Sequence, residues 1–131
     1  MRGVVIRDGT EPGGTGGLEF DLAEVLSALG PRVGESRWSS RNLSYVSRDE
    51  TNIDTLDAAA AGSSVAGNDL VKALTQLLQV TDGEFQGFSE GSAPWVVIRA
   101  VDSSWWEVLS DDPSTLQAIR NRFRVVHDLP A

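Results

Sequence analysis

Two adjacent tryptophans, Trp105 and Trp106, lie in the run "AVDSSWWEVLSDD" at residues 100–112. Neighbouring residues of a β-strand point to opposite faces, so the two indoles cannot enter one core. A strand here therefore demands a sheet with two chemically different faces. The flanking runs "WVVIRAVD" (95–102) and "WWEVLS" (105–110) read as strands joined by a bend. With Asp102-Ser103-Ser104 as a three-residue hairpin loop, Val101 faces Trp105, Arg99 faces Glu107 and Val97 faces Leu109. The opposite face pairs Ala100 with Trp106 and Ile98 with Val108. A two-residue loop would part Arg99 from Glu107 and forfeit a cross-strand charge pair worth about 0.2–1 kcal/mol. Asp and Ser favour turns, although neither adopts positive φ as freely as glycine.

The segment "DGEFQGF" (82–88) extends the pattern as a third strand, with "SEGSAP" (89–94) as its loop. Phe88 then faces Trp95, Gln86 faces Val97 and Glu84 faces Arg99. Glu84, Arg99 and Glu107 form one row across three strands. The reverse face carries Phe85, Ile98 and Val108 in one row and Gly83, Ala100 and Trp106 in the next. That apolar face, relieved by glycines, is expected to be the core, with Trp106 structural. Trp105 is expected on the other face with Phe88, Trp95, Val97, Asp82 and the charged row. A one-residue slip would exchange the two faces.

Elsewhere, "RGVVIRD" (2–8) reads as a strand and "GTEPGGTGG" (9–17) as a flexible Gly-rich loop. "DLAEVLSALG" (21–30) is a helix capped by Asp21, with Leu22, Val25, Leu26 and Leu29 in one stripe and Gly30-Pro31 ending it. "SRWSSRNLSYVSR" (36–48) suits a strand anchored by Trp38, Leu43 and Tyr45, and "IDTLDAAAAG" (53–62) a short helix. "GNDLVKALTQLLQV" (67–80) has the clearest helical period, with Asn68 as cap and Leu70, Val71, Leu74, Leu77 and Leu78 on one face. Pro113 suits the first turn of a helix over 113–123 that buries Leu116, Ile119 and Phe123, and "RVVHDL" (124–129) an edge strand. A chain of 131 residues suits a single domain. Helices beside mutually adjacent strands indicate α+β, an antiparallel sheet of about four to five strands with helices packed mainly on one face.

Charge narrows the partners. The net charge is -8, unevenly spread: residues 49–112 carry twelve acids against Lys72 and Arg99. Such a field repels nucleic acid and anionic membrane surfaces and steers a basic partner. The plainer reading is that acidity keeps a small protein soluble. Cysteine is absent, which removes disulfides, thiol catalysis and cysteine metal sites. No apolar run is long enough to span a bilayer, and "MRGVVIRDG" reaches Arg7 too soon for a signal peptide, so a cytoplasmic protein is expected.

The mixed face is the candidate site. Asp82, Glu84, Trp95, Arg99, Asp102, Trp105 and Glu107 combine aromatics with charge, and Asp111 and Asp112 at a nearby turn extend an acidic rim. Tryptophan is enriched at binding hot spots. The competing expectation is a second layer that covers this face, since few small proteins expose several large aromatics. Paired carboxylates can act as general acid and base. Arg99 between Glu84 and Glu107 lowers their pKa, however, where a general acid needs a raised one. No catalytic residue is assigned. Metal and cofactor sites are not expected either: no Asp-x-Asp-x-Asp-Gly loop occurs, and the lone His127 sits beside Asp128 without a spaced partner. The Gly-rich stretch lacks both the Walker and the G-x-G-x-x-G spacing, and Glu11 and Glu19 flank it. There is no G-x-S-x-G elbow, and Arg120, Arg122 and Arg124 are too few for a nucleic-acid site.

Residues 79–123 resemble a segment of small, poorly characterised bacterial proteins. The matching elements are Asp82-Gly83-Glu84-Phe85, Trp95 with its apolar strand, Ala100 to Ser104, and Glu107-Val108. As a class, a small acidic α+β chain is similar to the immunity proteins of bacterial toxin systems. That resemblance implies a binding module, not an enzyme, that blocks the active site of a basic toxin such as a nuclease. Acidic groups would meet the toxin's cleft while Trp105 supplies the desolvated anchor. A structural or homo-oligomeric module using the same face is the alternative, and an enzyme using the sheet carboxylates a third.

Overall fold

A computed structural model describes residues 1–130. Its strands are β1 (Arg2–Ile6), β2 (Arg37–Ser47), β3 (Val65–Ala66), β4 (Leu77–Phe88), β5 (Val96–Val101), β6 (Trp105–Ser110) and β7 (Val126–Asp128). They form one antiparallel sheet in the order β3-β2-β4-β5-β6-β1-β7. The class is α+β as the patterning implies, but seven strands exceed the four to five expected. Of the two edges, β7 is the strand expected within 124–129, while β3, with two residues, is too short to show a period.

Helices α1 (Leu22–Leu29), α2 (Arg32–Glu35), α3 (Asp54–Ala60), α4 (Gly67–Ala73) and α5 (Pro113–Arg122) connect the strands. Their buried residues, among them Leu22, Val25, Val33, Leu56, Leu70 and Ile119, join one core with Val4, Ile6, Trp38, Phe85, Ile98, Trp106 and Val108 of the sheet. All these strand residues share one face by register, so the helices form a single layer over it. Local sequence explains the helix ends. Gly30 closes α1 with φ 82°. Asp112 caps α5, accepting from the Ser114 N–H at 2.9 Å, with Pro113 at the first position. Glycine also makes room in the sheet. A Cβ on Gly87 would lie 2.8 Å from Cη2 of Trp38, whose ring packs flat across that position.

The helix expected over 67–80 is shorter. α4 ends at Ala73, a 3-10 turn covers Leu74–Gln76, and β4 begins at Leu77. The reason is β2, whose last residue Ser47 pairs with Leu77 and so draws Leu77 to Val80 into the sheet. Asn68 is not the cap, since α4 starts at Gly67 with Ala66 before it. Val71 and Leu78, placed by periodicity on the apolar stripe, are exposed.

The Gly-rich segment folds back on itself. Gly14 N–H donates to the Glu11 carbonyl at 2.9 Å, and Gly16 N–H to the Gly9 carbonyl at 2.9 Å. Arg124 pairs with Glu11 at 3.2 Å and Glu19 at 3.0 Å, and Thr10 Oγ1 donates to the Ser104 carbonyl at 2.5 Å. The Thr10 contact ties the segment to the β5–β6 hairpin, and the Arg124 pairs tie it to the chain just after α5. Among the described residues, no helix is long and apolar enough to cross a membrane.

Candidate functional site: the bare face of the sheet

The β5–β6 register is the three-residue form: Val101 pairs with Trp105, Arg99 with Glu107 and Val97 with Leu109. Asp102 and Ser103 both take left-handed backbone, at φ 49° and 55°. Hydrogen bonds hold them there. Asp102 N–H donates to Asp82 Oδ1 at 2.9 Å, Ser103 N–H to the Thr81 carbonyl at 2.9 Å, and Ser104 N–H to the Val101 carbonyl at 2.8 Å. Such residues persist where surrounding structure over-determines them. Trp106 is fully buried in the core, 6.3 Å from Phe20 between ring centroids. Trp105 is half-buried on the opposite face.

That opposite face has no helix over it among the described residues; its Val5 and Val97 are buried, yet lie outside the main core cluster. Its central row is longer than the three strands foreseen. Arg41, Glu84, Arg99, Glu107, Val5 and His127 align across β2, β4, β5, β6, β1 and β7. Arg99 Nε lies 2.8 Å from Glu84 Oε1 and Arg99 Nη1 lies 3.5 Å from Glu107 Oε1. Gln86 Nε2 donates to Glu84 Oε2 at 2.6 Å, and Trp105 Nε1 donates to Glu107 Oε2 at 3.0 Å. Arg7 lies over the Trp105 ring, 4.6 Å from its centroid. Partial burial pushes the Glu84 carboxyl up, but the bonds from Arg99 and Gln86 outweigh it and hold the group below its ordinary 4.5. The Glu84 contact in turn raises Arg99. Both charges are fixed, in position and in protonation.

The face gathers Asp82, Glu84, Arg99, Trp105 and Glu107, with Asp102 at its hairpin end. Three expected members lie elsewhere. Trp95 sits before the first residue of β5 and escapes the alternation of that strand. Its ring makes an edge-on contact with Trp38 at 6.3 Å, its N–H donates to Ser36 Oγ at 2.9 Å, and Arg32 lies 4.2 Å above it, all on the helix side. Asp111 and Asp112 follow β6, whereas Asp102 precedes it. Six residues of strand separate the two ends by about 20 Å. Asp111 meets the Met1 ammonium at 3.4 Å and Asp112 is spent as a cap, so neither forms a rim with Asp102.

The acidity also lies elsewhere than expected. On this face Arg7, over the Trp105 ring, and Arg37, Arg41 and Arg99 at register positions stand against Asp82, Glu84 and Glu107. The face is therefore at +1 and the rest of a chain of net -8 at -9. Position along the chain does not report position on the surface. The sequence pattern gives Arg41 and Arg7 no place on this face and Gln86 only a place opposite Val97; continuing the Glu84–Arg99 row into β2 finds Arg41.

Chemistry is sparsely served. Among the described residues no group of three His, Asp or Glu side chains could hold a metal ion. The raised carboxyl is Asp21, pushed up to about 6 by burial on the helix side, where Val80 N–H donates to it at 3.2 Å. A groove of about 930 Å³ opens where β1, β6 and α5 end, floored by Leu109, Leu116 and Leu129. Two ion pairs line it, Arg120 with Asp128 and the Met1 ammonium with Asp111. No protein-family model, curated protein or solved structure matches the chain.

Proposed function

We propose that the chain is a non-catalytic protein-interaction module whose contact surface is the bare face of the sheet. The observation that carries this reading is the row Glu84–Arg99–Glu107, held by hydrogen bonds and ion pairs with Gln86 and Trp105 on a face without a helix layer. Binding normally costs about 0.5–1.5 kcal/mol for each rotamer-rich side chain it orders. Here Glu84, Arg99 and Glu107 are ordered beforehand, so that cost is largely met before association. Val101, Leu109 and Trp105 around the row, each half-buried, supply apolar contact. Arg99 and Gln86 hold the Glu84 carboxyl below its ordinary 4.5, which argues against a general-acid role for it.

A photoreactive residue in place of Leu109, expressed in the native host, tests the reading. Discrete protein adducts from this position, absent when the probe replaces exposed Val71 on α4, are expected. Equal or no adducts from the two positions would overturn it.

A toxin-neutralising role of the immunity-protein kind keeps one specific support, the -9 outside the sheet face. Asp49, Glu50, Asp54 and Asp57 follow β2 with no cation between residues 49 and 57. A basic effector would be steered to that side and not to the charge-balanced sheet. Asp49→Asn, Glu50→Gln and Asp54→Asn together should then weaken its capture and flatten the salt dependence; unchanged binding would remove this second reading.

A further inference from the structure

The bare face carries its own complement. Its central row alternates in sign from strand to strand: Arg41 on β2, Glu84 on β4, Arg99 on β5, Glu107 on β6. A two-fold axis parallel to the strands, lying between β4 and β5, lays this row against a reversed copy of itself. Arg99 then faces Glu84 of the second copy and Arg41 faces Glu107, each contact occurring twice. An axis along the row instead sets arginine against arginine and glutamate against glutamate. The charges thus select one face-to-face orientation.

We propose that the occupant of the bare face is a second copy of this chain, docked about that axis; the proposal rests on reading the face as a protein interface. Rotation about an axis parallel to the strands leaves the two strand sets aligned, the commoner class of sheet-on-sheet packing, offset by about 30° through twist. Glu84 and Arg99 flank the axis, where that offset displaces them least. β4 and β5 are inner strands, so the contact uses no sheet edge. It is isologous and closes at two copies, without growth into fibres.

Size sets the strength. Four strands, β2, β4, β5 and β6, overlap their counterparts about this axis; about 4.8 Å apart and six residues long, they cover about 19 by 20 Å. That is about 400 Å² per copy and about 800 Å² in total, the size of a weak, transient contact. Across the axis Val97 meets Gln86 and Leu109 meets Ser39, which limits apolar gain. A reversible dimer, populated at high micromolar concentration, follows.

Sedimentation equilibrium on the full chain at low salt tests this with a charge exchange. Wild type should self-associate. Glu84→Arg alone and Arg99→Glu alone should each weaken association at least about tenfold, because each brings like charges together twice. An equimolar mixture of the two variants should regain association, since every introduced charge then meets its opposite. Circular dichroism verifies that both variants are folded. If Glu84→Arg is not, Glu107→Arg and Arg41→Glu form the equivalent pair. A wild type that stays monomeric to about 1 mM, association indifferent to the single changes, or a mixture that fails to recover would each overturn the proposal. The Leu109 adducts separate the two levels. Adducts only to other proteins leave the interface standing and dismiss the second copy; no adducts dismiss both.

Discussion

Trp38 and Trp106 are both fully buried, and one hydrogen bond distinguishes them. The Trp38 indole N–H donates to the Val33 carbonyl at 3.1 Å, whereas the Trp106 Nε1 is buried with no partner. Replacing either by Phe removes similar packing, so the transfer and cavity costs nearly cancel in a comparison. At Trp38 the change forfeits a net hydrogen bond worth about 0.5–1.5 kcal/mol. The Val33 carbonyl keeps the Ser36 N–H at 3.2 Å, so no orphan acceptor adds to that loss. At Trp106 the change removes an unsatisfied buried donor and recovers about 1–3 kcal/mol. Trp38→Phe should therefore cost about 3 kcal/mol more than Trp106→Phe. Urea unfolding followed by far-UV circular dichroism reads the difference directly. With a slope near 2 kcal/mol/M, the two midpoints should stand about 1.5 M apart, Trp106→Phe the higher. Equal midpoints, or the reverse order, would refute the placement of the two indoles.

Asp21 titrates with the opposite sign to most carboxylates. Burial raises it from 3.8 to about 6, so the folded state holds the proton more tightly and stability falls as pH rises between those values. At face value the shift is about 3 kcal/mol; partial exposure reduces it to about 1–2 kcal/mol. Asp21→Asn should gain that amount at pH 7 and nothing at pH 3.5 in paired thermal melts, and equal melting at pH 7 would refute it. Arg99→Met should cost about 0.4–2 kcal/mol at pH 7 through two lost cross-strand pairs. Because Glu84 is held below 4.5 in the folded state, its stabilisation is present above that value and is lost as pH falls through its folded pKa, so the cost should shrink in acid denaturant titrations. Gly87→Ala should cost about 1–3 kcal/mol by forcing the Trp38 ring from its seat, read as a lower urea midpoint.

The β4–β5–β6 register was legible because two independent signals agreed, the Arg99–Glu107 pairing and the apolar row of Ala100 with Trp106. Asp102 and Ser103 entered left-handed backbone despite ordinary turn chemistry, because Asp82 and Thr81 on β4 supply acceptors that no local rule includes. Leu77 and Leu78 satisfied a helical and a strand period equally, and pairing with distant Ser47 decided for the strand. Trp95 departs from the expected face because it stands one residue before the start of β5, after Pro94, where strand alternation does not apply and the ring turns toward Trp38. Arg7 follows β1, and Arg37 and Arg41 belong to β2, far from Glu84 along the chain; their arrival on one face is why the local acidity does not survive folding.

The most direct measurement is paramagnetic broadening by a soluble gadolinium chelate in a methyl and indole spectrum of the dilute protein. We expect the Leu109 and Val101 methyls and the Trp105 indole to broaden, while Ile98, Val108 and Trp106 stay sharp. Protection of Leu109, Val101 and Trp105 equal to that of Ile98 and Val108 at dilutions where the chain is monomeric would contradict a bare face, and with it the contact surface proposed for this protein.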